Sequence, residues 1–513
     1  MPVRQPDLDG SVSLAGGVNT RVHPSLVPNN QAVELLNVDL SEPGVSQRRK
    51  GLERVGNDFG DYKVITIKGY SKTSSNKRLL AIANSTLYEY IGSGSWSSVG
   101  SIGTSVTDAN IVIAGDSGTT KAYIFTDTGN AYSYDGSTLT DLEGNSDDPP
   151  GSTTAVLYHK NRMLVGKTDV LYWSDSLTPG TGEWNSTTKS LKIDQGLGQF
   201  IKGMIEYGRD QILVFYDRSI FIVDTSPTVS RWPVSKVSDI GTVSRRSIAK
   251  YGDRVFYLAR DGFRMLGRPN TLTEGLENEW MERVSWQSAD KAEAFVWDNK
   301  IYLALPIDGA TENNYVFVYH VQNDPNGVGM GWTTWYSPSL TLSCFTEYDF
   351  DDDRKPYAGN SGDDSLVFEM ESGYTDDGQI YEFRETTGMF VHGAEMIEKA
   401  PETFEVSGIT QENLDIPVSV YMSEDEEVFT RIYMDDTQEP LNMAQGNTLI
   451  EDVDWDDLLF DDAKIKRGVH STNSNVRFHG IQYRISNTGD NNIQIRSRIS
   501  SAMLPEGYRS DNT

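Results

Sequence analysis

Cysteine is almost missing: Cys344 stands alone among 513 residues. That excludes an intrachain disulfide framework and any multi-cysteine metal centre. In the stretch LSCFTEY, Cys344 is expected to be a small buried side chain of a strand. Histidine is scarce as well. The six present, His23, His159, His320, His392, His470 and His479, do not lie at metal-ligand spacing from one another. No apolar run is long enough to span a bilayer as a helix, and the first residues, MPVRQPDLDG, hold no apolar signal core. Without a secretion signal, the glycosylation sequons at Asn84 and Asn185 carry no weight. The sequence also lacks a P-loop, a G-x-S-x-G elbow and a G-x-G-x-x-G leading into a helix. No catalytic residue, metal site or cofactor is therefore assigned.

Positive charge is the next shortage. The formal net charge is -29, and it is concentrated. Residues 345–470 hold 33 acidic against 8 basic side chains, a net of -25 in a quarter of the chain. A nucleic-acid-binding face needs the opposite sign, because phosphate neutralisation supplies most of the affinity. A duplex brought near this region is repelled over a Debye length of about 8 Å at physiological salt. The acids fall in two conspicuous runs. YDFDDDR carries Asp349, Asp351, Asp352 and Asp353, and EDVDWDDLLFDDAK carries Asp452, Asp454, Asp456 and Asp457. The second run has calcium-loop offsets at Asp452, Asp454 and Asp456. It fails at the sixth and twelfth positions, where Asp457 and Ala463 replace the required Gly and Glu. Both runs are read as solvated loops rather than metal sites.

Hydrophobic residues make up only 37%, while aromatics reach 10% and glycine 46 residues. That balance suits many short strands joined by turns. A repeat supports it: RLLAIANSTLYEY from Arg78, KAYIFTDTGNAYSY from Lys121, NRMLVGKTDVLYWSD from Asn161, DQILVFYDRSIFIVD from Asp210, DRVFYLARDGFRML from Asp253, NKIYLALP from Asn299 and KPYAGNSGDDSLVFEM from Lys355. Each is an apolar strand, a polar turn and a second strand, with starts 40 to 56 residues apart. A further candidate strand precedes each hairpin and another often follows. Four strands per unit at this period is the pattern of a β-propeller. One such sheet cannot bury both faces alone, and radial stacking on two neighbours buries them. The competing arrangement is a pair of stacked sandwiches.

The fold class expected is thus all-β, a propeller of about seven four-stranded blades with a C-terminal antiparallel β-domain. The boundaries expected are an arm and docking strand over 1–60, the propeller over 61–388 and a sandwich-like domain over 389–513. Leu276, Trp280 and Val284, four apart, predict a short helix inserted between blades, with an irregular interblade loop as the alternative. In NVRFHGIQYRISNTGDNNIQIRSRIS, the alternation of Ile481, Tyr483 and Ile485 resumes at Ile493 and Ile495, which predicts a hairpin with one buried face.

The N-terminal run GGVNTRVHPSLVPNNQAVELLNVDLSEPGVSQRRKGLERVG resembles the opening of many tailed-phage structural proteins. It carries a Gly-Gly-hydrophobic-Asn start, the pair Asn37-Val38 and an R-x-G turn from Arg49 to Gly51. Farther on, IKGMIEYGRDQILVFYDRSIFIVD, IGTVSRRSIAKYGDRVFYLARDGFRML, AFVWDNKIYLALP, GWTTWY and FHGIQYRIS are similar to the packaged-DNA stabilisation, or tail nozzle (tail hub), proteins of short-tailed bacteriophages. The likeness is one of strand and turn pattern over most of the chain. It implies a structural virion protein rather than an enzyme. Such a protein is made in the host cytoplasm and built into the tail as a homo-oligomeric ring, usually of six copies, below the portal and adaptor. Double-stranded DNA would pass the lumen without sequence-specific contacts. The acidic stretch matches no motif of that family; its expected place along the lumen follows from its charge, because acidic walls keep a duplex from adhering. The likeness also implies that Arg48, Arg49 and Lys50 belong to an arm that packs on the propeller or touches a neighbouring subunit or the adaptor; read from the residues alone, they equally suit an exposed edge strand whose charges prevent aggregation. A host-glycan-binding or glycan-degrading propeller on a tail is the alternative, although the one near match to the glycosidase turn S-x-D-x-G-x-T-W, SYDGSTLT from Ser133, lacks its spacing and Trp.

Overall fold

A computed structural model describes residues 7–503 apart from 12, 74–75, 116–118, 144–146, 176–182, 186–187, 194–197, 277–281, 339–340, 351–352, 363, 394–398, 411–416, 424–429, 433–440, 443–463, 472–478 and 491. The local grammar is that of twisted hairpins. Alternating apolar residues end in two-residue turns whose φ angles are positive at both positions, as at Asn84-Ser85, Lys160-Asn161 and Asp298-Asn299. That is the turn whose twist matches the flanking strands, and Asn and Asp enter it at little cost.

These hairpins build seven antiparallel sheets in chain order. Blades 1 to 4 occupy 66–101, 109–141, 155–192 and 203–238, each with four strands. Blade 5, 249–265, has three strands. In place of a fourth, the irregular segment after it sends the Leu272 N–H to the Phe263 carbonyl. Where a helix was expected around Leu276, the described residues hold a 3-10 turn, Glu274–Leu276, and an α-helical end at Glu282 and Arg283; Trp280, between them, lies outside the described residues. Leu276 and Val284 are both buried in the shared core.

Blade 6 spans 293–335, and blade 7 takes three strands from 342–370. Its fourth is the N-terminal strand Leu52–Arg54, which pairs antiparallel with Val367–Met370. The first strand of blade 7 packs on the first strand of blade 1, so the circle closes with a strand borrowed from the far end of the chain. Closure matters because an unclosed circle would leave two sheet faces and edges in water. The apolar clusters lie between blades: Leu213 and Phe215 of blade 4 meet Val255 and Tyr257 of blade 5, and Val64 and Leu79 meet Tyr357 and Val367 at the closing seam. Cys344 lies at this seam, buried as expected.

The second body is welded to blade 6. The outer strand Trp332–Trp335 pairs in parallel with Ala32–Leu36, and the same sheet runs on through Glu382–Thr387, Gln482–Thr488, Pro417–Ser423 and Thr430–Ile432. A separate sheet joins Val38–Asp39, Ser46–Arg48, Gln494–Met503, Ala400–Thr410 and Lys464–Ser471, with Asp7–Ser11 added to Gln494–Met503. The described strands of 1–60, expected as an arm and docking strand, enter both sheets of the second body and blade 7. Glu382–Thr387, inside the range expected for the propeller, belongs to the second body as well.

The predicted hairpin is corrected too. Ile481, Tyr483, Ile485, Ile493 and Ile495 are all buried, as their alternation requires. Yet Gln482–Thr488 and Gln494–Met503 pair with different partners in different sheets. The turn between them is a corner from one layer to the other, and both strands turn their apolar faces into one core with Phe256, Ile301 and Trp332 of blades 5 and 6.

Candidate functional site

Each blade begins with its innermost strand, so the segments leading into those strands converge on one face of the propeller. Asp108 precedes blade 2, and Arg245 and Arg246 precede blade 5 on the opposite side of the circle. Arg246 donates from Nη2 to Asp108 Oδ1 at 2.6 Å, and Arg245 donates from its own Nη2 to the same oxygen at 2.9 Å. Arg246 also reaches the Ile65 carbonyl of blade 1 and Glu293 Oε2 of blade 6, the latter at 3.2 Å. Glu293 Oε1 accepts from the Phe345 N–H of blade 7 at 3.0 Å, and Thr154 of blade 3 donates to Asp108 Oδ2 at 2.8 Å. Gly203 opens blade 4 against Arg245; a Cβ there would stand 3.2 Å from the arginine Cγ. One ion cluster thus touches all seven blades and bridges the propeller axis.

The electrostatics follow from that crowding. Burial alone would raise the Asp108 pKa, but Arg245 and Arg246 beside it hold it well below the carboxylate range. Burial pushes Glu293 up, and Arg246 offsets this only in part. Arg245 is pushed down by burial despite Asp108, whereas for Arg246 the charges of Asp108 and Glu293 overcome burial and raise it. Asp108 keeps 37% of its side chain accessible, so the cluster is crowded by protein yet open to water on one side.

That side is a cleft of about 410 Å³ over Lys63, Arg245, Arg246, Lys291 and Glu312. Two further depressions continue it through Asp108, Arg245, Lys202 and Asp290 toward Phe200 and Arg260. Together, among the described residues, seven Lys or Arg and five Asp or Glu line this surface. A molecule of net charge -29 therefore carries a depression of the opposite sign, with Phe200 standing 63% exposed at its side.

Arg48 and Arg49, expected to pack on the propeller or touch a neighbour, turn inward. Arg48 and Arg49 are 1% and 0% exposed. Arg49 donates from Nη1 and Nη2 to Asp376 at 2.8 and 2.5 Å, and its guanidinium lies 3.8 Å from the centre of the Tyr381 ring and 4.9 Å from that of Trp335. Arg48 donates to Asn487 Oδ1 at 2.9 Å and to the Tyr381 carbonyl. Both cations join the N-terminal segment to its own subunit, Arg49 between two aromatic rings and a carboxylate 327 residues away, which is the packing alternative and not the contact with a neighbour or adaptor. Lys50 alone of the three is exposed.

Of the acids expected to line a lumen, Asp349 and Asp353 lie at the turn ending the first strand of blade 7, at the end of that strand away from the cleft. Asp349 is 3.6 Å from Lys77 Nζ, and Asp353 is exposed. Asp351, Asp352, Asp452, Asp454, Asp456 and Asp457 lie outside the described residues. Among the described residues no group of three His, Cys, Asp or Glu is placed to hold a metal ion. The axial cluster was not singled out from the sequence. The consecutive pair Arg245-Arg246 just before an innermost strand was its only local sign.

The chain matches no protein-family model and no curated protein. Solved structures resemble it at low identity. YCF48 from Cyanidioschyzon merolae aligns at 12% identity over 62% of this chain and 98% of that one, with a TM-score of 0.39. The WD40 β-propeller domain of Doa1 aligns at 9% identity over 64% and 97%, with a TM-score of 0.37. The extracellular domain of the putative hybrid two-component system BT3049 from B. thetaiotaomicron aligns at 12% identity over 75% and 47%, with a TM-score of 0.40. At these values the likenesses say nothing of ligand or partner; the chain is an all-β protein built on a seven-sheet propeller.

Proposed function

We propose that this chain is a structural protein of a phage tail. It assembles as a ring, of six copies by the resemblance above, that extends the DNA conduit below the portal and adaptor, holds the packaged genome and lets it leave. The bridged propeller axis is the observation that supports this reading best. Side chains from opposite blades meet across it at hydrogen-bond distance, so a duplex has no route through a single subunit. A conduit must then lie between copies, with each propeller serving as a block of the wall. The continuous sheet from blade 6 into the second body makes that block rigid.

The mechanism is electrostatic rather than chemical. The acids of 345–470 raise the free energy of nearby DNA and keep it from adhering during ejection. Retention is tested by assembling particles with and without this chain and treating them with nuclease. Packaged DNA becomes digestible without the chain if the reading is right. Equal protection in both preparations, or release of reducing sugar from host polysaccharide by the purified chain, contradicts it.

A further inference from the structure

We propose that the basic cleft on the propeller face receives the acidic run of residues 451–462 from a second copy of this chain. The inference rests on the ring reading and adds the contact that closes the ring. Within that run, EDVDWDDLLFDD, seven of twelve residues are acidic and none is basic, and Trp455, Leu458, Leu459 and Phe460 interrupt the charge. The cleft has the complementary make-up. Among the described residues its lining carries two more cations than carboxylates, and Ile201, Val243 and Trp286 lie among them.

The cations are not all spent within the subunit. Among the described residues Arg245 bonds through Nη2 alone. Among the described residues no carboxylate pairs with Lys202, while Arg260, 71% exposed, shares Asp217 at 3.3 Å. Carboxylates arriving from outside would answer this surplus. Aromatic side chains on the same peptide would cover Phe200, which is otherwise left in water. A face that accepts a different segment of the next copy is a heterologous contact, and such contacts generate rings when the rotation closes. The run 451–462 then belongs to the seam between subunits, and the lumen wall falls to the other acids of 345–470.

The test uses the full chain and a fluorescent peptide of residues 449–464. The proposal expects saturable binding that weakens as salt rises. It expects at least a tenfold loss of affinity in the double variant Lys202→Glu, Arg260→Glu, whose sites lie outside the axial ion cluster, and an equal loss for a peptide with Trp455→Ala and Phe460→Ala. Circular dichroism of the double variant reports its folding. Should it fail to fold, Lys202→Ala with Arg260→Ala replaces it, with a loss of at least threefold expected. Binding that ignores the cleft variants overturns the proposal. So does a chain that stays monomeric and binds the peptide only after its own run is neutralised by Asp→Asn and Glu→Gln changes, since the run then occupies the cleft within one subunit. Rings that form normally from the double variant overturn this contact and leave the ring reading standing. Specific peptide binding by a chain that never forms rings does the reverse.

Discussion

Arg246 and Asp108 come from opposite sides of the propeller and meet across its axis, with Nη2 2.6 Å from Oδ1. The pair fastens the circle at its centre. Asp108→Ala would leave two guanidinium groups crowded together. For a fully buried pair that costs about 3–5 kcal/mol; here water reaches the carboxylate, so about 1–3 kcal/mol is expected. Urea denaturation measures it. Because the folded pKa of Asp108 is depressed, its contribution is complete above the unfolded carboxylate range, roughly pH 4, and disappears as pH falls toward the folded value. Wild type and variant should therefore converge in strong acid.

Arg49 and Lys50 are adjacent and should behave as opposites. Arg49→Ala strands Asp376 in the interior and empties the space between Tyr381 and Trp335, an expected loss of about 3–5 kcal/mol. Lys50→Ala, at an exposed position, should stay within about 0.5 kcal/mol of wild type. Chemical denaturation of the two variants side by side decides the matter. Equal effects would contradict the inward role of Arg49.

His320 gives the chain a pH dependence with a definite sign. Burial lowers its pKa from 6.5 to about 4, with Asp39 opposing that shift and Lys300 adding to it. Its Nε2 lies 3.2 Å from Thr333 Oγ1. The folded protein thus refuses a proton that the unfolded chain accepts between these values. Stability is complete above pH 6.5 and declines as pH falls to 4, by up to about 3 kcal/mol from this group. Lys300 and Asp39 stay charged across that window, Asp39 because Lys300 outweighs burial and keeps its pKa low. His320→Gln should flatten the melting temperature between pH 4 and 6.5 relative to wild type, and an unchanged slope would place the effect elsewhere.

The two sheets of the second body are joined through Glu385 and Arg498, both fully buried. Arg498 donates from Nε and Nη2 at 2.7 and 2.6 Å, and Ser46 donates to the same carboxylate at 2.7 Å. Glu385→Ala leaves the cation unpaired in the core, so a loss of about 3–5 kcal/mol is expected. Hydrogen exchange should show the lost protection in Ser46–Arg48 and Gln494–Met503 together, since both strands hold partners of Glu385. Loss confined to one strand would contradict the shared anchor.

The blades were legible because their determinants are local. Period-two alternation and a turn of Asn, Asp or Gly lie within a dozen residues, as from Arg254 to Met265, where Ala259 pairs with Gly262 across the turn. Burial of Tyr483 and Ile495 was legible for the same reason. What the sequence hid depends on distance along the chain. Leu52 pairs with Met370, Leu36 with Thr334, and Arg49 with Asp376, and nothing near any of these residues announces its partner. The triplet Arg48, Arg49, Lys50 looked like a surface feature because charge in sequence says nothing of a carboxylate and two rings waiting elsewhere. Asp108 and Arg246 were missed alike: each is unremarkable until the circle closes and sets it opposite the other.

Cryo-electron microscopy of the purified full chain, alone and bound to portal and adaptor, measures the central claim most directly. The account predicts a closed ring whose lumen lies between subunits, wide enough for a duplex, with each propeller axis bridged by protein. A chain that stays monomeric with and without those partners, or a ring with no lumen able to admit DNA, would contradict it.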